Sequence, residues 1–331
     1  MSKCIEPYEH INENLVSNVV VDAEISDLLE THIIKLSQSN ATSNAQFKGV
    51  GNATVILQST KNDLIIFEES NPGIYSYNGQ LDKSLGYNLD IKLMNDQRIT
   101  SKTQRFPESF MADSISNETN YVRIQQADGT ISYDYLVSFF INANKNQIAQ
   151  DYYLRLDVET VFIVLENICS PFIPPKTCYI YNHRSNFKIN LLNIPKTSDY
   201  VSIVQNVFEK ELDYEMGGAF SVKVDVLSYT KENYKFWQEY KSLFDQSGSV
   251  TDVVPSTITG NLESSEGSVQ GLFSLVSKTA VSKILLRGDA GGRSVEPYCG
   301  TPGFFQPYPM PSECCDCLLF PNSTIQKPAY W

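Results

Sequence analysis

Short runs of alternating apolar and polar residues, cut by clusters of turn formers, fill the first third of this chain and leave few folds open to it. From residue 18 onward the runs NVVVDAEI, HIIKLS, ATVILQS, DLIIFEE, GIYSY and YNLDIKLM are each five to eight residues long. A period of two sends successive side chains to opposite faces of a strand. In YNLDIKLM, Leu89, Ile91 and Leu93 share one face and Asp90 and Lys92 the other, which is the pattern of a sheet with one wet face. The stretches between them, NATSNAQFKGVGN, KN, SNPG and NGQLDKSLG, are rich in turn residues. Six or seven strands at this spacing predict a β-sandwich over residues 19–106, preceded by a tether over residues 1–18.

The proline in RFPESF breaks the pattern and marks a linker, after which a larger β-rich domain is expected over residues 107–290. YLVSFFIN, SVKVDVLSY, GLFSLVS and KILLR read as strands. In DYYLRLDVETVFIVLE, Tyr152, Leu154, Leu156 and Val158 alternate with Tyr153, Arg155, Asp157 and Glu159 before the run turns apolar on both faces. That is a strand passing from a wet sheet into a covered one. One amphipathic helix is predicted near residues 231–246, with Thr230 as N-cap and Gly248 beyond its end. Its stripe of Phe236, Trp237, Tyr240, Leu243 and Phe244 is expected to face the core. The tail, residues 291–331, is dense in Cys, Pro and Gly and needs covalent staples to hold one shape.

With 26 Lys and Arg against 38 Asp and Glu, the net charge is -12. Binding to nucleic acid needs clustered cations, and there are none, so nucleic acid is excluded as a partner. No apolar run reaches the roughly 20 residues of a membrane-spanning helix. Met1 to Lys3 supply no apolar segment of a secretory signal, so the expectation is either that one was removed or that export was never intended.

Seven cysteines occur: Cys4, Cys169, Cys178, Cys299, Cys314, Cys315 and Cys317. Setting Cys4 aside leaves an even six, which suits disulfides in an oxidising compartment. The simplest pairing joins Cys169 to Cys178 across SPFIPPKT and Cys299 to one member of ECCDC, leaving two cluster cysteines to bond. A zinc site from Cys299 and the cluster is the alternative. Adjacent cysteines rarely both face one ion, so disulfides are preferred and no metal is expected.

Residues suited to catalysis are few. Of three histidines, His10 lies in the tether and His32 in a strand, leaving His183 in a loop. No nucleophile elbow, zincin, phosphate-loop, dinucleotide or EF-hand motif occurs, and no catalytic residue or cofactor is expected. Arg287 to Asp289 spell RGD, treated as a chance tripeptide, and Asn40, Asn52, Asn117 and Asn322 head N-x-[ST] triplets that mark loops.

Taken in order, CIEPYE, VVVDAEISD, HIIKLSQS, SNPGIY, YYLRLDVE, the Cys178-Tyr179 step, YKFWQEY, ITGNL, ECCDC and KPAYW resemble Bacteroidota outer-membrane lipoproteins of the domain of unknown function 4249 family, commonly encoded beside TonB-dependent receptor-like transporters. The resemblance implies a location and company, not a reaction. Cys4 maps onto the acylated cysteine, and Glu6 and Glu9 onto the acidic signal for the cell surface. The implied architecture is an immunoglobulin-like or transthyretin-like sandwich followed by the larger β-rich domain. The implied function is that of a non-enzymatic, lipid-anchored accessory subunit of a TonB-dependent transporter-like β-barrel, facing the cell exterior. Alternatives are a surface subunit of a barrel-assembly or secretion complex, and a carbohydrate-binding or hydrolytic module. Phe304, Phe305, Tyr308, Tyr330 and Trp331 are candidate interface anchors, or else a strap over the sandwich.

Overall fold

The structure, a computed structural model, describes residues 18–39, 47–125, 130–170, 172–183, 189–246, 258, 260–300 and 310–331. In chain order its strands are β1 (Val19–Ser26), β2 (Glu30–Gln38), β3 (Thr54–Ser59), β4 (Leu64–Asn71), β5 (Ile74–Gly79), β6 (Gly86–Lys92), β7 (Arg98–Ser101) and β8 (Gln104–Arg105). There follow β9 (Ser114–Gln125), β10 (Ile131–Lys145), β11 (Tyr152–Leu165), β12 (Thr177–His183), β13 (Asn190–Ile194), β14 (Val201–Glu211) and β15 (Phe220–Tyr229). The helix α1 (Lys231–Gln246) precedes β16 (Leu262–Ser264), β17 (Val269–Leu285) and β18 (Ser323–Thr324). Among the described residues the fold is mostly β with one α-helix, as the alternation requires. No helix among the described residues is long and apolar enough to cross a membrane.

The chain forms two compact units, Met1–Phe106 with Lys235–Val276, and Pro107–Tyr234 with Ser277–Trp331. The sequence reading gave residues 235–276 to the second domain; they group with the first. Sequence order carries no sign of this return.

In the first unit, β3, β6, β7 and β16 form one sheet with the start of β4, while β5, β2, β1 and the start of β17 form another with the end of β4. β4 pairs with β3 through Leu64 to Phe67 and with β5 from Glu68 onward, so one strand serves both. A register shift between Glu69 and Asn71 follows, just before the turn to β5. Val21, Ala23, Ile25, Ile34 and Leu36 from one sheet meet Val55, Leu57, Leu89, Ile91 and Ile99 from the other in one buried cluster. The SNPG corner between β4 and β5 turns on Pro72 and Gly73, whose φ of 79° is the left-handed conformation glycine adopts freely. A Cβ there would lie 2.4 Å from the Leu36 carbonyl oxygen. β1 pairs with β17 in parallel from Val19 opposite Val269 to Ser26 opposite Val276. Asn261 of ITGNL works as a side-chain strand partner: its Nδ2 donates to the Phe273 carbonyl at 2.7 Å and its Oδ1 accepts from the Phe273 amide at 3.0 Å. His32 is buried, with Nε2 2.9 Å from the Gly79 carbonyl.

In the second unit β11 is central, paired to β15 on one side and to β12 and β13 on the other; β15 continues to the end of β17, and β12 to β18. A second sheet has the order β14, β10, β9. Leu154, Leu156 and Val158 of β11, with Val222, Val224 and Val226 of β15, share a core with Val137, Phe139 and Ile141 of β10. The opposite face carries Arg155 2.8 Å from Asp157, and Asp225 between Lys223 at 2.9 Å and Lys278 at 3.3 Å. Val161 and Phe162, neighbours on opposite faces, are both buried, which is the covered end of the strand.

α1 has the expected limits, with the Thr230 hydroxyl accepting from the Asn233 amide at 3.3 Å. Its aromatic stripe is not core. Phe236 and Trp237 are only half-buried and Tyr240 is exposed, and the three rings pack on one another, Phe236 and Tyr240 at 6.4 Å and Trp237 and Tyr240 at 5.8 Å. Of the expected stripe, the side chain of Phe244 lies outside the described residues.

Candidate functional site: the stapled C-terminal knot

SECCDC folds as two short 3-10 turns, Ser312–Cys314 and Cys317–Leu319, the second capped by the Asp316 side chain accepting from the Leu318 amide. The turns point successive sulfurs in different directions. Cys314 bonds Cys299, Cys315 bonds Cys169 and Cys317 bonds Cys178. Cys299 does pair with a cluster member, but the expected Cys169–Cys178 bridge is not formed. Cys178 is fully buried and Cys169 is exposed, so the two face different surroundings although nine residues apart. Glu166 closes their loop instead: its amide donates to the Lys176 carbonyl at 3.0 Å, and its Oε2 accepts from the Lys176 amide at 2.8 Å.

Glu166 also sets the electrostatics of the knot. Its Oε1 accepts from the Cys317 amide at 2.9 Å and lies 3.2 Å from Lys176 Nζ, which reaches Asp316 at 3.0 Å. Burial pushes the Glu166 carboxyl up, but the two amides and the ammonium outweigh it and hold the group below the usual glutamate range. Hydrogen bonds to Asp316 and Glu166 push Lys176 up, and Lys176 holds Asp316 down. A carboxyl depressed in the folded state stabilises it above the ordinary glutamate pKa, and that stability is lost as pH falls through the lower folded value. Glu166→Gln is therefore expected to cost about 1–3 kcal/mol at pH 7 and progressively less below about pH 4.3, measured by denaturant unfolding across pH.

Glu166, Cys178 and Cys317 place possible metal ligand atoms within 4.8 Å of one another. Cys178 and Cys317 are bonded to each other, and in the alternative zinc set Cys299 is bonded to Cys314, Cys315 to Cys169 and Cys317 to Cys178, so none of these sulfurs is a thiolate.

Beside the knot a cavity of about 210 Å³ opens between Phe162, Leu165, Tyr214 and Tyr298, over the backbone of Gly217 and Gly218. A Cβ on Gly217 would lie 2.5 Å from the Pro297 nitrogen, so glycine is what lets that chain approach. Phe162, Tyr214, Tyr298 and Phe320 form a closed circuit of ring contacts, with centroids 5.1 to 6.3 Å apart. Arg287 lines the cavity with its guanidinium 2.7 Å from Glu296, while Asp289 accepts from the Leu286 amide at 2.8 Å. Both charged members of RGD have local partners.

The end of the chain lies on the polar face of the β11 sheet. β18 pairs with β12 at Tyr179 and Ile180, Trp331 meets Tyr179 edge-on at 5.3 Å, and the Tyr330 hydroxyl donates to Glu159 at 2.8 Å. Burial first, and then the Glu159 contact, pushes Tyr330 far up, so it remains a neutral donor. Tyr330 and Trp331 thus pack on their own chain as a strap. Phe304, Phe305 and Tyr308, like Cys4, Glu6 and Glu9, lie outside the described residues. The Cys178-Tyr179 step, ECCDC and KPAYW, scattered in sequence, meet at this end of the sheet, and YYLRLDVE reaches them through its last residue, Glu159. Glu166, Lys176 and the cavity escaped the sequence reading, since a lone carboxylate beside an amide-rich turn leaves no motif.

No curated protein and no solved structure gives a significant match to the chain. A family model described as Domain of unknown function (DUF4249) matches residues 5–281, ending before the four tail cysteines. That span is most of the chain, and the protein belongs to this family.

Proposed function

We propose that the protein is a non-enzymatic, lipid-anchored subunit on the outer face of an outer membrane, where it docks on a TonB-dependent transporter-like β-barrel. The observation that carries this reading is the cysteine arithmetic of the folded chain. Six cysteines bond one another and leave Cys4 unneeded by any bridge. Three disulfides suit an oxidising compartment, and the spare cysteine heads an acidic segment of the kind that follows a lipid attachment site. The buried carboxylates favour binding over chemistry, because each has a structural partner: Glu166 in the knot, Glu215 with Lys210, and Asp27 with Lys83.

Expression from the complete native gene followed by detergent extraction tests the reading. Cys4 is expected to carry the mass of its acyl chains, Cys4→Ser to release the protein from membranes, and a transporter-like barrel to copurify. Unmodified Cys4 would defeat the anchor, and copurification of an assembly barrel instead would move the protein to the secretion-complex alternative.

A further inference from the structure

Among the described residues from Ile168 to Pro175 no side chain is charged, and Cys169 is held in its disulfide. Phe172 is 92% exposed, Ile168 75% and Ile173 64%. Leu318 and Leu319 are exposed on the neighbouring turn, which the Cys169–Cys315 bond and the Asn167 amide, donating to the Cys314 carbonyl at 2.7 Å, tie to the loop. Single exposed apolar residues are ordinary, but five large ones fixed on a covalently stapled platform mark a contact surface.

The chemistry of this surface selects what covers it. The described residues of the loop carry no charge, and Lys176 beside it is held between Glu166 and Asp316, which with Glu313 leave the flank net negative and without a free cation for an acidic partner. Pro174 and Pro175 have no amide hydrogen, so two donors that entry into hydrocarbon would strip of water are missing. A protein interface adds directional polar contacts around its apolar centre, and this tip offers few. A lipid surface asks only for apolar area, few unmet donors and little ordering on contact, and the Cys169–Cys315 bond already ties the loop to the turn beside it.

We infer that Ile168, Phe172, Ile173, Leu318 and Leu319 form a lipid-contact tip that enters the interfacial layer of a membrane. The tip belongs to the folded chain and needs no acyl group at Cys4. The full chain carrying Cys4→Ser, with its disulfides intact, is mixed with sucrose-loaded vesicles of dioleoylphosphatidylcholine and sedimented. The protein is expected to sediment with the vesicles, to do so equally at low and high salt, and to lose at least about tenfold in partitioning on Phe172→Asp with Ile173→Asp. Leu29→Asp, at an exposed apolar site in the other unit, is expected to change nothing. Thiol titration and circular dichroism of the variants confirm that the staples and fold persist. Failure of the Cys4→Ser protein to bind vesicles, equal binding by the double variant, or an equal loss with Leu29→Asp overturns the inference. So does capture of a protein through this loop without vesicle binding. Because acylation is removed here, failure leaves the barrel-docking reading standing, and failure of the copurification leaves this one.

Discussion

Cutting both long-range staples, by replacing Cys169, Cys178, Cys315 and Cys317 with alanine, is expected to destabilise the second unit by about 8 kcal/mol, whereas cutting either alone costs about 3. The asymmetry follows from loop entropy. The two bonds span 146 and 139 residues and run side by side, so while one stands the other closes a ring of only about a dozen residues, through Cys169 to Cys178 and Cys315 to Cys317. Once the first is gone, the second alone closes a ring of well over a hundred residues, worth about 5 kcal/mol. Denaturant unfolding of the two double variants and the quadruple variant measures this. Loss of hydrogen-exchange protection at β18 and at its partners Tyr179 and Ile180 locates it. Two single cuts that add up to the quadruple cut would show that the staples do not share a ring.

Lys210→Met is expected to cost about 3–5 kcal/mol, while Lys210→Met combined with Glu215→Met costs far less. Lys210 is buried on β14, 3.1 Å from Glu215 and also paired with Asp213, and the Asn182 amide donates to Glu215 at 3.2 Å. Removing the lysine alone leaves a buried carboxylate without its counter-charge. Removing both members leaves only Asp213, whose partial exposure lets water solvate it. A double-mutant cycle read from denaturation midpoints gives the coupling. Additive single costs would mean that the two groups do not depend on each other.

How far the sequence could be read depended on whether a residue's environment was set locally. Leu89, Ile91 and Leu93 could be assigned to one face because a wet sheet repeats every two residues, and all three are buried. SNPG and the limits of α1 were equally legible, since turn and cap chemistry act over a few residues. β9 was missed because SISNETNYVRIQ is an edge strand whose polar residues mask any period. β17 was read as two strands because KTAVS, between GLFSLVS and KILLR, is too polar to signal continuity; it is a single strand from Val269 to Leu285. The disulfide pairing failed for a related reason. Cys169 and Cys178 are near in sequence, but the direction of a side chain depends on the sheet and turn that hold it, and those are fixed by partners more than a hundred residues away. The helix stripe shows that spacing gives a face without saying what lies opposite.

The parallel pairing of β1 with β17 also imposes an order of events. Val19 to Ser26 leave the ribosome early, yet their partners Val269 to Val276 follow some 250 residues later. Contacts of such sequence separation form slowly, because a long loop must close before they contribute. The first unit to be synthesised is therefore among the last to be completed, and until β17 arrives one edge of β1, with its row of amides and carbonyls, stays open to any other strand that reaches it.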